Sequence, residues 1–211
     1  MFTGIVAAVG HIETVESLGE GAGVRLSIDA GALDLADVAI GDSIAIQGAC
    51  MTVITCHGSQ FTVDVSRESL SKTAGLGEPG PVNLEKAMRL SDRLGGHLVS
   101  GHVDGLGEVV RFEQSGESWL LDVRVPVTLG RYFAYKGSAT INGVSLTVNR
   151  VADEVAGTVI SINLIPHTVS VTTLGRLRPG MAVNVEIDLI ARYVERMLAA
   201  EAASPATGPS A

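Results

Sequence analysis

The chain is 211 residues long, 46% hydrophobic and 18% charged, with a formal net charge of −8 and a mean hydropathy of +0.34. A chain this apolar buries enough surface to offset its lost conformational entropy, which excludes intrinsic disorder, and its length allows one large domain or two small ones. The acidic balance excludes a basic face for nucleic acid or anionic lipid, and no run approaches the ~20 apolar residues of a membrane span.

The N-terminus lacks the basic start and apolar core of a signal peptide. Cys50 and Cys56 have neither zinc-ligand spacing nor the density of a disulfide framework. A cytoplasmic protein with two reduced thiols is expected. With 25 Gly, 7 Pro and only 4% aromatics, the composition reads as short strands joined by tight turns.

In chain order, Gly19 to Gly23 forms a hairpin loop; with no following helix it is not a phosphate cradle. The segment from Asp29 to Leu35 reads as a short helix. Ile46 to Val53 is a strand, with Cys50 and Thr52 on one face and Met51 and Val53 on the other. Phe61, Val63 and Val65 alternate with polar residues, the period of a half-buried strand. Leu84 to Leu94 reads as a second short helix, and Gly95-Gly96 as a domain break. Asn142-Gly143 is a hairpin turn, followed by a strand that puts Ser145 and Thr147 on one face. Ile160, Ile162 and Leu164 alternate again. From Leu189, apolar Ile190, Tyr193, Val194, Met197 and Leu198 fall at helical spacing, and Pro, Ser and Ala residues after Glu201 read as a disordered tail.

The halves repeat each other. Gly4-Ile5-Val6 recurs as Gly101-His102-Val103, Ile46 to Val53 as Ile141 to Val148, Asp64 to Thr73 as Asn163 to Thr172, and Val82 to Glu85 as Val183 to Glu186, at offsets between 95 and 101. Each copy is too long for a solenoid unit and long enough to be a small domain. The fold class expected is all-β: two tandem antiparallel β-barrels of Greek-key type related by internal duplication, plus a C-terminal amphipathic helix. The expected boundaries are 1–95 and 96–188 for the barrels, 189–201 for an oligomerisation helix and 202–211 for the tail. Two homologous barrels predict two similar ligand pockets. Where the copies differ, chemistry differs: Cys50 becomes Ser145, Ile5 becomes His102, Glu68 becomes His167 and Asp64 becomes Asn163.

These segments, with the opening Met-Phe-Thr-Gly-Ile-Val, the stretch around Gly101-His102-Val103, Tyr135-Lys136-Gly137-Ser138 and Ile165-Pro166-His167-Thr168, resemble riboflavin synthase of the alpha-chain type from Met1 to about Leu198. The resemblance implies a cofactor-independent, metal-free transferase. It would dismutate two molecules of 6,7-dimethyl-8-ribityllumazine by four-carbon transfer into riboflavin and 5-amino-6-(D-ribitylamino)uracil, with two substrate molecules per active site. It also implies a homotrimer in which the active site lies between the first barrel of one chain and the second barrel of a neighbour. Association with lumazine synthase is left open.

Carried over residue by residue, one ligand would lie against Gly4, Ile5 and Val6 of one chain and Ser145, Leu146, Thr147, Asn163, Leu164, Ile165, Pro166, His167 and Thr168 of its neighbour. The other would lie against Cys50, Met51, Thr52, Asp64, Val65, Ser66, Arg67, Glu68 and Ser69, with Gly101, His102, Val103 and Lys136 approaching across the interface. His102 with Ser145 or Thr147 would assist deprotonation, Cys50 and Lys136 would act as nucleophile or charge stabiliser, and Asp188 would orient one of these groups. Met51 and Ser69 depart from the family's usual Leu and Thr, conserving volume and hydroxyl respectively. His97 reads as a hydrogen-bonded linker residue, Cys56 as core, and His11, His57 and His167 as scattered residues with no metal.

Two other function classes compete. A non-catalytic lumazine- or flavin-binding protein of antenna type would not need reactive groups in both halves. A flavin-binding module of a reductase, for which Arg131 to Ala134 would be the hook, leaves the duplication unexplained.

Overall fold

The computed structural model describes residues 1–203; the tail from residue 204 lies outside the described residues. In the first half the strands are β1 (Ala8–Ser17), β2 (Val24–Asp29), β3 (Ser43–Ile46), β4 (Ala49–His57), β5 (Gln60–Val65) and β6 (Gly80–Lys86). They close into an antiparallel barrel in the order β1-β2-β5-β4-β3-β6. The second half supplies β7 (Gly105–Ser115), β8 (Ser118–Val125), β9 (Ser138–Ile141), β10 (Val144–Glu154), β11 (Gly157–Leu164) and β12 (Ala182–Ile187). Its barrel runs β10-β11-β8-β7-β12-β9, the same circular order as the first. The bulges correspond too. Register shifts at Ile12/Thr14 and Val53/Thr55 recur at Val109/Arg111 and Val148/Arg150, so both copies bend at the same corners.

The strand period sets the cores. Phe61, Val63 and Val65 of β5 and Ile160, Ile162 and Leu164 of β11 are all essentially buried inside their barrels. Alternation stops in β6 and β12, where Val82 to Glu85 and Val183 to Ile187 are buried on both faces, because each of these strands also faces the other barrel. The polar residues this buries, Asn83 and Asn184, join the halves. Asn83 donates through Nδ2 to the Asn142 carbonyl at 2.8 Å, and Asn184 through Nδ2 to the Gln47 carbonyl at 2.9 Å. The β3–β4 and β9–β10 hairpin turns meet at this junction. Gln47-Gly48 and Asn142-Gly143 all have positive φ, the two-residue geometry that matches strand twist. A Cβ on Gly48 would lie 2.6 Å from the Gly143 amide nitrogen.

The two short helices expected in the first half do not form. Leu84 belongs to β6 and no helix covers residues 87–94, while after Asp29 the chain makes only isolated turns. The causes are local. The Asp29 carboxylate accepts from the Gly31 amide at 2.8 Å and Gly31 has φ +59°, which bends the chain away from the helical path. Helices do form elsewhere: α1 (Arg67–Lys72), α2 (Val127–Gly130), α3 (Pro166–Val171) and α4 (Leu189–Ala203). Ser66 caps α1 by accepting from the Ser69 amide at 3.0 Å. Helix α4 runs two residues past its expected end and is tied to the second barrel by Arg192–Asp104 and Arg131–Glu195, each at 2.7 Å.

Candidate functional site

Each barrel hands a segment to the other. Phe2 and Val99 exchange backbone hydrogen bonds of 2.8 and 3.1 Å, so the N-terminal segment and the inter-barrel linker run antiparallel. Beyond this crossing, the Gly4 carbonyl accepts from the Ser145 amide at 2.7 Å and the Gly101 carbonyl from the Cys50 amide at 2.8 Å. Val6 packs on the second core and Val103 on the first. The approach is close enough to demand glycine. A Cβ on Gly4 would lie 2.6 Å from Ser145 Cβ, and one on Gly101 2.7 Å from Cys50 Cβ. One chain therefore brings together the pairs that the resemblance assigns to neighbouring chains, because the linker is placed to lay each segment on the opposite barrel.

The first pocket holds about 170 Å³, walled by Cys50 and Met51 of β4, Glu68, Ser69 and Lys72 of α1, Thr73 beyond it, and the incoming Gly101, His102 and Val103. Glu68 and Lys72 pair at 2.7 Å along α1, and the Lys72 ammonium holds the Glu68 carboxyl below its ordinary value. Asp64 is engaged by Arg25 through two bonds of 2.8 and 3.0 Å, which lowers its carboxyl likewise.

The equivalent place on the second barrel is chemically different. Ser145 Oγ lies 2.7 Å from His97 Nδ1, and His97 Nε2 lies 3.3 Å from Thr140 Oγ1. Burial holds the His97 imidazole below its ordinary value, against an opposing pull from the Asp188 charge. A desolvated imidazole stays neutral and keeps a lone pair, as a proton acceptor requires. Gly96 is packed so tightly here that a Cβ would sit 2.8 Å from Ser145 Oγ.

The expected site residues separate accordingly. His102 reaches the Cys50 pocket, not Ser145; the imidazole at Ser145 is His97, the hydrogen-bonded linker residue expected, on a linker that passes over β10. Val65 and Leu164 point into the barrel cores, since strand alternation turns them away from the pockets. Thr52 and Thr147 are exposed on β4 and β10, and Ser66, Arg67, Asn163, Ile165, Pro166 and His167 lie at the exposed ends of β5 and β11 and in the helices that follow. Lys136 is on the second barrel, donating to Asn149 Oδ1 at 3.0 Å, and makes no contact with Cys50 within the chain. Asp188 accepts from the Ile190 amide at 2.9 Å at the start of α4. Among the described residues, no group of three or more His, Cys, Asp or Glu could hold a metal ion, and no helix is long and apolar enough to cross a membrane.

Known proteins share this arrangement. The lumazine binding domain model matches twice, over residues 3–87 and 100–188. The chain is 45% identical over 202 residues to riboflavin synthase of Photobacterium phosphoreum, covering 94% of this chain and 89% of that one. It is 40% identical to that of Bacillus subtilis (strain 168), covering 94% and 90%, and 43% identical to that of Mycobacterium tuberculosis (strain ATCC 25618 / H37Rv), covering 94% and 98%. Among solved structures, LumP complexed with 6,7-dimethyl-8-(1'-D-ribityl) lumazine superposes with a TM-score of 0.76 at 25% identity, over 89% of this chain and 99% of that one. LumP complexed with riboflavin gives 0.78 at 26%, with the same coverage. The lumazine binding domain is thus here twice over, and with 40–45% identity to three bacterial riboflavin synthases across 94% of its length the chain belongs to the riboflavin synthase family.

Proposed function

We propose that the chain dismutates two molecules of 6,7-dimethyl-8-ribityllumazine, transferring a four-carbon unit from one to the other and releasing riboflavin and 5-amino-6-(D-ribitylamino)uracil. The observation that carries the reading is the unequal chemistry at equivalent places on the two barrels: a thiol and an exposed imidazole lining a pocket at Cys50 and His102, and a hydroxyl bonded to a desolvated imidazole at Ser145 and His97. Identical substrates enter equivalent containers and meet different groups. Holding them face to face replaces a bimolecular encounter.

In the second pocket, with His97 Nε2–H donating to Thr140 Oγ1, Nδ1 is free to accept the Ser145 hydroxyl proton. Ser145 then relays the proton from the acidic 7-methyl group of the bound lumazine, and Asp188 steadies the imidazolium that forms. In the first pocket the Cys50 thiol is placed for attack on the other lumazine, with His102 beside it. Thr147 lines the second pocket with Ser145, and Lys136 serves a neighbouring chain's first pocket from its exposed position. That neighbour belongs to a homotrimer joined by α4, whose Ile190, Tyr193, Val194, Met197 and Leu198 are all half or more exposed. The same reading places the enzyme in the cytoplasm, where lumazine synthase would supply its substrate.

The test is to incubate the purified protein with 6,7-dimethyl-8-ribityllumazine alone and follow both compounds. Loss of two lumazines per riboflavin supports the dismutation. Binding with no riboflavin formed would make the protein an antenna-type binder instead.

A further inference from the structure

We propose that Glu85 and Glu186 are positioning residues wired crosswise: each carboxylate stands on one barrel and fixes the segment that completes the pocket of the other. Glu85, on β6 of the first barrel, accepts from the Thr3 amide at 2.7 Å and the Thr3 hydroxyl at 2.7 Å through Oε1, and from the Gly4 amide at 3.0 Å through Oε2. Glu186, on β12 of the second, repeats the pattern with Ser100: amide 2.7 Å, hydroxyl 2.6 Å, and the Gly101 amide at 3.0 Å. Both glutamates are buried, at 8% and 3% exposure, and neither has a cation within ion-pair distance among the described residues. Their burial is offset chiefly by the donors of the segment. Releasing the segment would strand a buried carboxylate, so the hold is stiff.

The crossing follows from what lies one bond further on. The carbonyl of Gly4, whose amide Glu85 holds, accepts from Ser145 of the second barrel, and the carbonyl of Gly101, whose amide Glu186 holds, accepts from Cys50 of the first. Barrel one thus sets the Ser145–His97 pocket, and barrel two sets the Cys50–His102 pocket. The inference rests on the lumazine reading of these pockets. It also accounts for the repeated Val-Asn-x-Glu of β6 and β12, which a barrel alone does not need.

Each pocket contains a histidine that reports on it, His97 or His102. Histidine-ring NMR of the full chain, titrated with 6,7-dimethyl-8-ribityllumazine, reads the two separately. Glu186→Gln keeps the volume but turns an amide donor toward a backbone donor. It should raise the half-saturating concentration at His102 by about tenfold or more, with His97 unchanged within about twofold; Glu85→Gln should do the reverse. Where a Gln variant fails to fold, Ser100→Ala and Thr3→Ala delete one hydroxyl donor each and should weaken the same crossed pocket by about threefold. Equal weakening of both pockets, or weakening of the pocket on the mutated barrel alone, would overturn the wiring. If lumazine moves neither histidine in the unmodified protein, the pocket reading falls first and the inference with it.

Discussion

The buried His97 imidazole ties the stability of the fold to pH. The unfolded chain takes up this proton near its ordinary value of 6.5, while the folded chain resists it to lower pH. The unfolded state therefore binds more protons below that value, and the folded state loses stability as pH falls from about 6.5 through the lowered native value, by at most about 1.4 kcal/mol per pH unit. His97→Gln should flatten this slope, and urea midpoints of the two proteins compared across the window will show whether it does. Ser145→Ala should lower kcat by about two to four orders of magnitude with riboflavin release as the readout, while lumazine binding changes little. Gly101→Ala tests a different property. At φ +76° and with its Cβ 2.7 Å from that of Cys50, an alanine must displace β4 or the linker. KM for lumazine should then rise about tenfold or more in steady-state assays.

At the scale of elements, the paired hairpin turns carry more than chain reversal. Gly143 has φ +82°, and a Cβ there would lie 2.9 Å from the Gly48 amide nitrogen across the junction. Gly143→Ala should cost about 2 kcal/mol or more, through left-handed strain and loss of close approach together, read as a lower thermal midpoint. Helix α1 and helix α3 also repeat. Each follows the last strand of a hairpin, and Thr73 and Thr172 return hydroxyl bonds of 2.7 Å to the Ser69 and Thr168 carbonyls. These helices were hidden because Arg67–Lys72 and Pro166–Val171 are six residues each, too short to display a helical period. The opposite error was to expect helix over Leu84 to Leu94, where β6 takes Leu84 to Lys86 and the rest is largely exposed turn with Leu90 and Leu94 facing outward.

For the whole molecule, α4 presents its apolar stripe outward: Met197 is 70% exposed and Leu198 61%. Two ion pairs fasten its other side to the second barrel, but nothing among the described residues covers that stripe. Met197→Glu should convert the proposed trimer to monomers in sedimentation velocity, since a charge at such a seam loses both contact and solvation. The segment exchange gives the two barrels a shared fate. Val6 and Val103 each add to the other barrel's core, so neither core is complete without the partner half.

Much of this was legible in the residues alone. The duplication, the period-2 strands, the Asn142-Gly143 turn and the contrast of Cys50 with Ser145 are local or repeated patterns, and local geometry needs no distant partner to be read. What only the tertiary structure decided is which segment lies on which barrel. The sequence of Gly101-His102-Val103 does not state its target, since a linker's path is fixed by long-range bonds to Cys50 and Glu186 and not by its own propensities. The same holds for His97. Its neighbours in the chain are two glycines and a leucine, and it becomes a partner for Ser145 only because the fold brings residues 48 positions apart within 2.7 Å. Glu85 and Glu186 stood in plain view as a repeat, but an acidic side chain on a strand looks solvent-facing until a second barrel covers it.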